Sequence, residues 1–518
     1  MRAPVFVTLC VWVLSDAATR QFTEEEMAAV RQRIKSMFYH AYNSYLDNAF
    51  PYDELRPLTC DGQDTWGSFS LTLIDALDTL LVLGNQTEFQ RVASLLQDTV
   101  DFDIDVNASV FETNIRAFQT PSGLPYGTVN LQRGVSPTET PVTCTAGVGT
   151  FILEFSTLSR LTGDQTFENV ALRALRALWG TRSDIGLVGN HIDILSKKWV
   201  AQDAGIGAGV DSYFEYLVKG AIMLQDEELL NMFLEFDRAL QNYTRFDDWY
   251  LWVQMHKGTV SMPVFQSLEA FWPGLQSLLG NLDSAVRTFQ NYYSVWRQFG
   301  GLPEFYSIPQ GYTVDKREGY PLRPELIESA MYLFRATGDH TYLQLGLDAL
   351  ESIEKISKTP CGYASVKDLR DHQLDNRMES FFLAETVKYL YLLFDPAHFL
   401  HGGGAEGDGS WEEGGEGGRC VLGAGGFIFN TEAHPLDPAA LYCCGRHAQD
   451  RQELRDVLLG LSEPKGQSNP GRAEAPPPGQ SESIALKPGE RKTPPLSCPV
   501  QPFRARFSVL GQVFTDST

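Results

Sequence analysis

The feature that most constrains the fold is a repeated helical unit that begins with an acidic residue and ends in a short turn. Acidic starts stand at Asp211, Glu325 and Glu379, each followed by apolar residues at helical spacing. The turns resemble one another: Leu-Gly-Asn at 83–85 and 279–281, Thr-Gly-Asp at 162–164 and 337–339, and Leu-Gln-Asp at 224–226. A unit that places carboxylates at one end of successive helices predicts an all-α barrel with an acidic centre.

The spacing of the turns gives the length of the unit. Positions 84, 163, 225, 280, 338 and 394 are separated by 79, 62, 55, 58 and 56 residues. Four intervals match one helix pair, whereas the first is too long for one pair and too short for two. Within it, Phe111-Glu-Thr-Asn-Ile-Arg116 has the form of an acidic helix start, but loop sequence follows at once from Ala117. We therefore predict that one helix pair is missing after Arg116.

The same patterns predict twelve helices. A first amphipathic helix runs from Glu24 to about Tyr45, with Thr23 as its N-cap. Five helix pairs and a last single helix follow, at about 65–100, 144–180, 211–240, 265–298, 324–357 and 379–394. The first and last helices could pair to close a ring. Hairpins are predicted at 185–200 and 249–262, and a short strand and turn at 427–435.

The net charge of −23 excludes several classes of partner. A strongly acidic protein is repelled by nucleic acid and by anionic membrane surfaces. The charge is explained either by a solvated surface or by an acidic binding centre, and both can hold together.

The two ends of the chain read as an export signal and a tail. Residues 1–18 have the basic start, apolar core and small-residue end of a signal peptide. No other apolar run is long enough to span a bilayer, so we predict no transmembrane segment. Residues 24–458 then form the barrel domain, and the Pro-, Ser- and Gly-rich residues 459–518 form a disordered tail.

Sequons at Asn85, Asn107 and Asn242 also agree with a lumenal or secreted protein. The C-terminal residues 514–518 are not a retrieval signal.

The eight cysteines become seven if Cys10 is removed with the signal peptide. An odd number in an oxidising compartment indicates either a buried, inert thiol or a bridge to another protein. Cys498, alone in the Pro-rich tail, is the first candidate for such a bridge. The expected partner at that thiol is a thioredoxin-like oxidoreductase. No Cys-x-x-Cys pair is present, which argues against zinc and against a self-contained redox site.

Seven acidic residues could carry chemistry: Glu112, Asp211, Glu304, Glu325, Glu328, Glu385 and Glu432. For any one of them, the plainer interpretation is a helix cap or a partner of the helix dipole. Carboxylates that converge must be protonated, hydrated or neutralised, and no cluster of Lys or Arg of matching size is evident in the sequence beyond Arg116, Arg323 and Arg377. Calcium suits a site built only of oxygen ligands. Glycoside hydrolysis needs two carboxyl groups, one as acid and one as base.

Six motifs in order resemble glycoside hydrolase family 47, the class I α-1,2-mannosidases. They are Asp64-Thr-Trp-Gly-Ser-Phe-Ser, Phe111-Glu-Thr-Asn-Ile-Arg116, Gly209-Val-Asp-Ser-Tyr213, Leu322-Arg-Pro-Glu325, Met378-Glu-Ser-Phe-Phe-Leu-Ala-Glu385 and Asn430-Thr-Glu-Ala-His-Pro435. The resemblance covers nearly the whole chain. It implies an (α/α)7 barrel plugged by a β-hairpin that reaches the centre.

The resemblance also implies a role for each matching residue. Glu112 would be the proton donor and Glu325 the base, with Asp211 and Glu304 as further catalytic carboxylates. Thr431 would bind Ca²⁺. The residues around the calcium and the sugar would be Arg323, Glu328, Phe381, Glu385 and Glu432. The implied function is calcium-dependent, inverting removal of mannose from high-mannose N-glycans on misfolded glycoproteins, in the lumen of the endoplasmic reticulum, to promote their degradation.

The chain departs from the family pattern at one point. In the family, the motif at 111–116 continues into a helix and its partner, and here both are absent. Six pairs can close a ring, but the closure would displace Glu112. The alternative interpretation is therefore a non-catalytic escort that binds the glycans of misfolded proteins without cleaving them.

Overall fold

The helices of the computed structural model follow the predicted pairs. The structure describes residues 20–65, 67–109, 120–401, 411–414, 418–421, 426–438 and 441. In chain order the helices are α1 (Glu24–Asn48), α2 (Leu71–Asp75), α3 (Leu77–Val82), α4 (Gln86–Thr99), α5 (Thr145–Gly149), α6 (Ile152–Thr162), α7 (Thr166–Trp179), α8 (Asp211–Leu224), α9 (Glu227–Tyr243), α10 (Trp272–Leu278), α11 (Leu282–Phe299), α12 (Glu325–Thr337), α13 (Thr341–Ile356) and α14 (Val387–Leu393). A 3-10 turn (Ser267–Phe271) precedes α10, and a π-helical turn (Phe382–Thr386) precedes α14.

The helix starts and ends are set by local residues. Thr23 caps α1 in a capping box, since its side chain accepts the N–H of Glu26 and the Glu26 side chain accepts the N–H of Thr23. Gly163 and Gly338 end α6 and α12 at φ values of 77° and 72°, in the left-handed region that glycine adopts without strain. The repeated turns of the sequence are therefore helix C-caps.

The helices form two layers. Inner helices are buried on all sides: in α8 every residue from Ser212 to Met223 is buried. Their outer partners bury one stripe, as α9 does with Leu229, Met232 and Phe236. Neighbouring inner helices pack in chain order, α5 and α6 on α8, α10 on α12, and α12 on α14. The all-α barrel class is confirmed.

The first and last helices close the ring as the sequence predicted. α1 packs along α14 and α13, and α2 and α3 pack against the π-helical turn before α14. Buried side chains of α1, among them Phe38 and Tyr42, join the same core as Leu390 and Leu393 of α14. The inner layer is therefore continuous from α2 round to α6 by way of α14, α12, α10 and α8.

The inner helices on either side of the 110–119 segment differ from the others. Leu158 and Leu161 on α6 are 40% and 49% exposed, and Leu81 on α3 is 36% exposed. Phe102, after α4, is 57% exposed. Among the described residues, no other inner helix exposes a large apolar side chain to this degree, so this flank of the barrel presents uncovered apolar surface to solvent.

Short antiparallel strands join the helices at the rim. They are β1 (Glu54–Arg56), β2 (Asp61–Gln63), β3 (Asn107–Ser109), β4 (Thr128–Asn130), β5 (Val142–Cys144), β6 (His191–Asp193), β7 (Lys198–Ala201), β8 (Asp203–Ala204), β9 (Arg245–Phe246), β10 (Trp249–Tyr250), β11 (Trp252–Gln254), β12 (Val260–Met262), β13 (Val264–Gln266), β14 (Phe305–Ser307), β15 (Tyr312–Thr313), β16 (Lys358–Thr359), β17 (Gly362–Tyr363), β18 (Val366–Asp368), β19 (Gln373–Leu374), β20 (Trp411–Gly414), β21 (Gly418–Val421), β22 (Ile428–Phe429) and β23 (Pro435–Leu436). The predicted hairpins correspond to β6–β7 and β11–β12, while the sheet β13–β14–β15 was not predicted.

Several predicted features lie outside the described residues. They are the signal peptide (1–18), the tail (459–518), Glu112, Arg116 and Cys498. Of the sequon residues, Asn107 and Asn242 are exposed, whereas Asn85 is partly buried as the N-cap of α4. Across the portion of the chain that is described, we find no helix with both the length and the apolar character needed to cross a bilayer.

A disulfide ties the two ends of the ring together. Cys60, before β2, is bonded to Cys361, between β16 and β17, across a sequence separation of 301 residues. The sequence left the pairing of the cysteines open.

Replacing Cys361 with serine is expected to lower the free energy of unfolding by about 2–4 kcal/mol, because the cross-link restricts a long loop in the unfolded chain. Chemical denaturation of the oxidised protein and the variant measures this difference. The matched control is Cys144→Ser, since Cys144 is a free thiol whose Sγ accepts the N–H of Gly147 and a hydroxyl can take its place. Equal stability of Cys361→Ser and the wild type would contradict the expectation.

Candidate active site

The acidic residues meet where the inner helices begin. Asp211 is the first residue of α8 and Glu325 the first residue of α12. Glu385 lies in the π-helical turn before α14, a wide turn of a kind often found at functional sites. The tip between β22 and β23, residues 430–434, contacts α6, α8 and α14 through the hydrogen bonds of Asn430, Thr431 and Ala433. Four separate parts of the chain therefore contribute to one acidic centre.

One face of α8 carries the first row of charges. Asp211, Glu215 and Lys219 follow one another at a spacing of four residues, which places them on the same side of the helix. Lys219 Nζ lies 2.5 Å from Glu215 Oε1 and 3.5 Å from Glu328 Oε1 on α12. The pKa of Asp211 is raised to about 7, first by burial and also by the nearby Glu215, while the N–H of Ser212 and the charge of Arg323 oppose the shift. Asp211 therefore titrates near neutral pH.

A second group surrounds the start of α12. Arg323 Nε donates to Glu304 Oε1 at 2.7 Å, and the guanidinium lies 5.7 Å from the ring centroid of Phe381. Burial raises the pKa of Glu325 to about 8, although Arg323 lowers it. Arg323 thus forms an ion pair with Glu304, while burial raises the pKa of the neighbouring Glu325.

Glu328, Glu385 and Glu432 form a third group, in which the carboxylates repel one another. Burial raises the pKa of Glu385 well above its usual range, and Glu432, Glu325 and Glu328 add to the shift. Burial likewise raises the pKa of Glu328 to about 7, and the positive charge of Lys219 opposes this rise. Burial also raises the pKa of Glu432, with His434 opposing the rise. In the absence of a cation, burial and mutual repulsion therefore favour the protonated forms of these carboxyls.

The hairpin tip is attached to the barrel through Glu154 on α6 and Tyr216 on α8. Tyr216 donates its hydroxyl proton to Glu154 Oε1, which also accepts Asn430 Nδ2 at 2.9 Å. The N–H of Thr431 donates to the Tyr216 hydroxyl oxygen at 3.2 Å. These bonds hold Thr431 at the inner surface of the helix layer.

On the other side of the tip lies a second buried lysine. Lys388 Nζ, on α14, donates to the carbonyl of Ala433 at 2.8 Å and lies 2.9 Å from Asp78 Oδ1 on α3. Asp78 Oδ2 is 3.1 Å from His434 Nδ1. Although burial alone would raise the pKa of Asp78, Lys388 and His434 hold it below its usual value. The pKa of the neighbouring Asp75 rises to about 7 through burial.

The donors around Thr431 suit a hydrated hard cation. Among the described residues, no three His, Cys, Asp or Glu side chains converge closely enough to ligate one metal directly. Oxygen atoms surround the tip nonetheless, and Glu154 Oε2 is buried without a hydrogen-bond partner. A calcium ion accepts hydroxyl, carbonyl and water oxygens as ligands, and the carboxylates can hold its waters. The residues therefore fit an ion bound by Thr431 and by water.

The structure brings together most of the predicted site residues. Asp211, Glu304, Arg323, Glu325, Glu328, Phe381, Glu385, Thr431 and Glu432 all belong to this centre, whereas Glu112 lies outside the described residues. Two basic residues that the sequence did not single out also belong to this centre, since Lys219 and Lys388 are both buried among the acids. Their polar side chains lie in apolar stretches of α8 and α14, and a buried charge in such a stretch needs a partner.

Other acidic residues of the centre were missed: Asp75, Asp78, Glu154, Glu215 and Glu269. Each interrupts the apolar pattern of an inner helix or of the turn before it, which is the signal that could have identified them. Glu215 also stands four residues after Asp211. Glu269 accepts the indole N–H of Trp252 at 2.9 Å, and burial raises its pKa well above the usual range.

Known proteins resemble this chain in sequence and in fold. The family model described as glycosyl hydrolase family 47 matches residues 37–117 and 116–438. The ER degradation-enhancing alpha-mannosidase-like protein 2 of Homo sapiens is 64% identical over 549 residues, covering 95% of this chain and 94% of the relative. The alpha-mannosidase I MNS4 of Arabidopsis thaliana is 44% identical over 414 residues, covering 72% and 66%.

Among solved structures, an alpha-1,2-mannosidase from Trichoderma reesei has a TM-score of 0.67 to this chain at 23% sequence identity. The match covers 79% of this chain and 99% of that structure. At this identity the likeness bears on the fold, which is an (α/α) barrel in both.

Proposed function

Because the chain belongs to glycosyl hydrolase family 47, we propose that this glycoside hydrolase is a calcium-dependent, inverting α-1,2-mannosidase. Its proposed substrates are high-mannose N-glycans on misfolded glycoproteins, and their trimming in the endoplasmic reticulum promotes degradation of the carrier protein. The similarity to the ER degradation-enhancing alpha-mannosidase-like protein 2 of Homo sapiens and to the alpha-mannosidase I MNS4 of Arabidopsis thaliana supports this role. The observation that carries the proposal is the ring of buried carboxyls with raised pKa values at the starts of the inner helices.

The proposed reaction divides the work between an acid and a base. Glu112 protonates the leaving oxygen, and Glu325 removes a proton from the attacking water on the other face of the sugar. Asp211 and Glu304 complete the catalytic carboxylates. Burial raises the pKa of Glu325 to about 8, so this carboxyl needs nearby positive charge to favour its ionised form before it can accept a proton from water near neutral pH. Arg323, held by Glu304, keeps a positive charge beside that base.

Calcium is the proposed cofactor, bound by Thr431 and by waters that Glu328, Glu385 and Glu432 hold. Bound there, the ion would supply two positive charges to the carboxylates and ligand positions to sugar hydroxyls. Other residues of the centre position these groups. Tyr216 and Glu154 fix the backbone at Thr431, and Lys219 pairs with Glu215 and Glu328. Loss of mannose release on chelation, restored by calcium but not by magnesium, tests the metal.

The test of the proposed activity compares the wild-type chain with Glu112→Gln on a high-mannose glycan. Both proteins are expected to bind the glycan, while only the wild type releases mannose, since glutamine cannot donate the proton. Released mannose and bound glycan are measured on the same samples. The activity is rejected for this chain if both proteins bind and neither releases mannose above the protein-free rate.

That negative result would favour the second candidate, a glycan-binding escort without catalysis. Three observations support this candidate. The family model matches in two parts that join at residues 116–117, where we propose that a helix pair is missing. The alignment with the human relative spans 549 positions, more than the 518 residues of this chain. The inner helices beside this junction expose Leu81, Leu158 and Leu161.

The proposed compartment and processing can be checked on the purified protein. The N-terminal sequence of the mature chain reveals whether residues 1–18 have been removed. Glycosidase treatment followed by peptide mass spectrometry tests carbohydrate at Asn85, Asn107 and Asn242.

Mass spectrometry under non-reducing conditions tests the proposed bridge from Cys498 to a thioredoxin-like oxidoreductase. Finding Cys498 only as a free thiol or in an internal bridge would contradict it. Limited proteolysis tests the boundaries of the barrel domain (24–458) and the tail (459–518).

A further inference from the structure

The tip of the β22–β23 hairpin holds an uncommon backbone conformation. Ala433 is fully buried and has a φ of 59°, in the left-handed region that side chains other than glycine rarely adopt. The side-chain oxygen of Asn430 accepts the N–H groups of Glu432 and His434 at 3.1 and 2.8 Å and so closes the turn from inside. The turn needs further contacts to hold Ala433 in this conformation.

Lys388 provides such a contact from the barrel. Its ammonium group is fully buried and donates to the carbonyl oxygen of Ala433 at 2.8 Å. Asp78 pairs with the same ammonium through Oδ1 at 2.9 Å, and its Oδ2 lies 3.1 Å from His434 Nδ1. The pair of Lys388 and Asp78 thus contacts the tip at two consecutive residues, Ala433 and His434. Asp78 lies on α3 and Lys388 on α14, near opposite ends of the described chain.

Thr431 lies between two sets of attachments. Glu154 and Tyr216 bind the tip at Thr431 and at the residue before it. Lys388 and Asp78 bind the residues that follow Thr431. Removal of the second set would leave the chain free to turn about the first. The left-handed residue stands just two positions beyond Thr431, so relaxation there would move the Thr431 carbonyl and hydroxyl.

We infer that Lys388 is a positioning residue, which places Thr431 by holding the carbonyl of Ala433 in the left-handed turn. The inference rests on the proposed function, in which Thr431 binds calcium. Lys388 acts through the backbone of the tip and is not itself a proposed ligand of the ion or the sugar. The plainer explanation is that Lys388 only stabilises the fold through its pair with Asp78.

The experiment compares Lys388→Met with Lys35→Met in the full-length chain. Lys35 is a matched control, because its Nζ also donates to a backbone carbonyl at 2.8 Å, that of Leu83, away from the hairpin. Two quantities are measured on calcium-free protein: the rate of amide hydrogen exchange in residues 428–436, and the dissociation constant for added calcium by calorimetry. Both lysine variants are expected to melt at a lower temperature than the wild type.

In Lys388→Met alone, hydrogen exchange at the tip is expected to accelerate and calcium affinity to fall by about tenfold or more. A second substitution, Ala433→Gly, is expected to recover part of the calcium affinity of Lys388→Met. Glycine adopts the left-handed conformation without the strain that alanine experiences there. A lysine with a purely stabilising role would give no such recovery.

Wild-type tip exchange and calcium affinity in Lys388→Met would overturn the inference. If Lys388→Met does not fold, Asp78→Asn takes its place, with a smaller change expected in the same direction, and wild-type values there also overturn it. A failure of the proposed function gives a different result, because the wild type itself then binds no calcium. The rate of hydrogen exchange at the tip still shows in that case whether Lys388 holds Ala433.

Discussion

Mannose release by Glu325→Gln is expected to be about 10²–10⁴-fold slower than by the wild type, the usual contribution of a general base. Glutamine preserves the shape of the side chain but cannot accept a proton from water. The effect should appear in kcat more than in KM, because the base acts in the transition state. Release of mannose from a high-mannose glycan at several substrate concentrations measures both constants.

Glu227→Gln is the matched control for this substitution. Glu227 and Glu325 are each the first residue of a helix, but α9 belongs to the outer layer and Glu227 is exposed. The control should retain wild-type activity, which separates the chemistry of the barrel centre from any general effect of an acidic helix start. A Glu325→Gln variant with wild-type kcat would contradict the proposed base.

The calcium-free protein is expected to lose stability as pH rises from about 5 to 8. Asp75, Asp211 and Glu328 have pKa values of about 7, and Glu325 of about 8, in each case first through burial. A carboxyl whose pKa is raised in the folded state binds its proton more tightly there than in the unfolded chain. Its stabilising contribution is complete below the unfolded pKa of about 4 and is lost as pH rises through 7–8.

Each such group contributes up to about 1.4 kcal/mol per pKa unit, and neighbouring groups titrate together, so the combined loss is on the order of several kcal/mol. Thermal unfolding with a chelator at pH of about 5.5 and about 8 measures it. Added calcium should raise the melting temperature more at the higher pH, because the ion binds the ionised carboxylates that protons otherwise occupy.

The control for this pH dependence is Asp75→Asn, which removes one titrating carboxyl and should make the loss between the two pH values smaller. A melting temperature of the chelated wild type that is constant or rises over this range would contradict the expectation. An equal calcium shift at both pH values would show that the ion does not bind the titrating groups.

The sequence predicted the barrel because its signals are local and repeated. Three of these signals depend only on residues that are neighbours in the chain. They are the helix periodicity, the C-cap glycines at 163 and 338, and the acidic helix starts at 211 and 325. All twelve predicted helices are found in the described residues. The predicted start of the last helix at Glu379 was early, since regular turns begin near Phe382, after a loop in which Glu379 pairs with Arg377.

The contacts between distant residues could not be predicted in the same way. The pair Lys388–Asp78 joins residues more than 300 positions apart, and the disulfide between Cys60 and Cys361 has no local signal either. In the sequence alone, Lys219 and Lys388 look like solvent-exposed lysines. Only the packing of the helices shows that both are buried. Carboxylates at helix starts, such as Asp211 and Glu325, were therefore predictable, whereas the acids within the inner helices and the lysines that pair with them required the packed barrel.

The closure of the ring by its two ends determines when the site can form. α1 and Asp78 are synthesised early, but their partners on α14, the second cysteine of the bridge and the hairpin that carries Thr431 are synthesised late. At about 5–20 residues per second, the 301 residues between Cys60 and Cys361 take roughly 15–60 s to emerge from the ribosome. Once synthesised, the acids of α8 and α12 still lack Lys388 and the β22–β23 hairpin until the chain beyond Cys361 has also emerged. The nascent barrel must therefore remain open, and its acidic centre is the last part of the domain to be assembled.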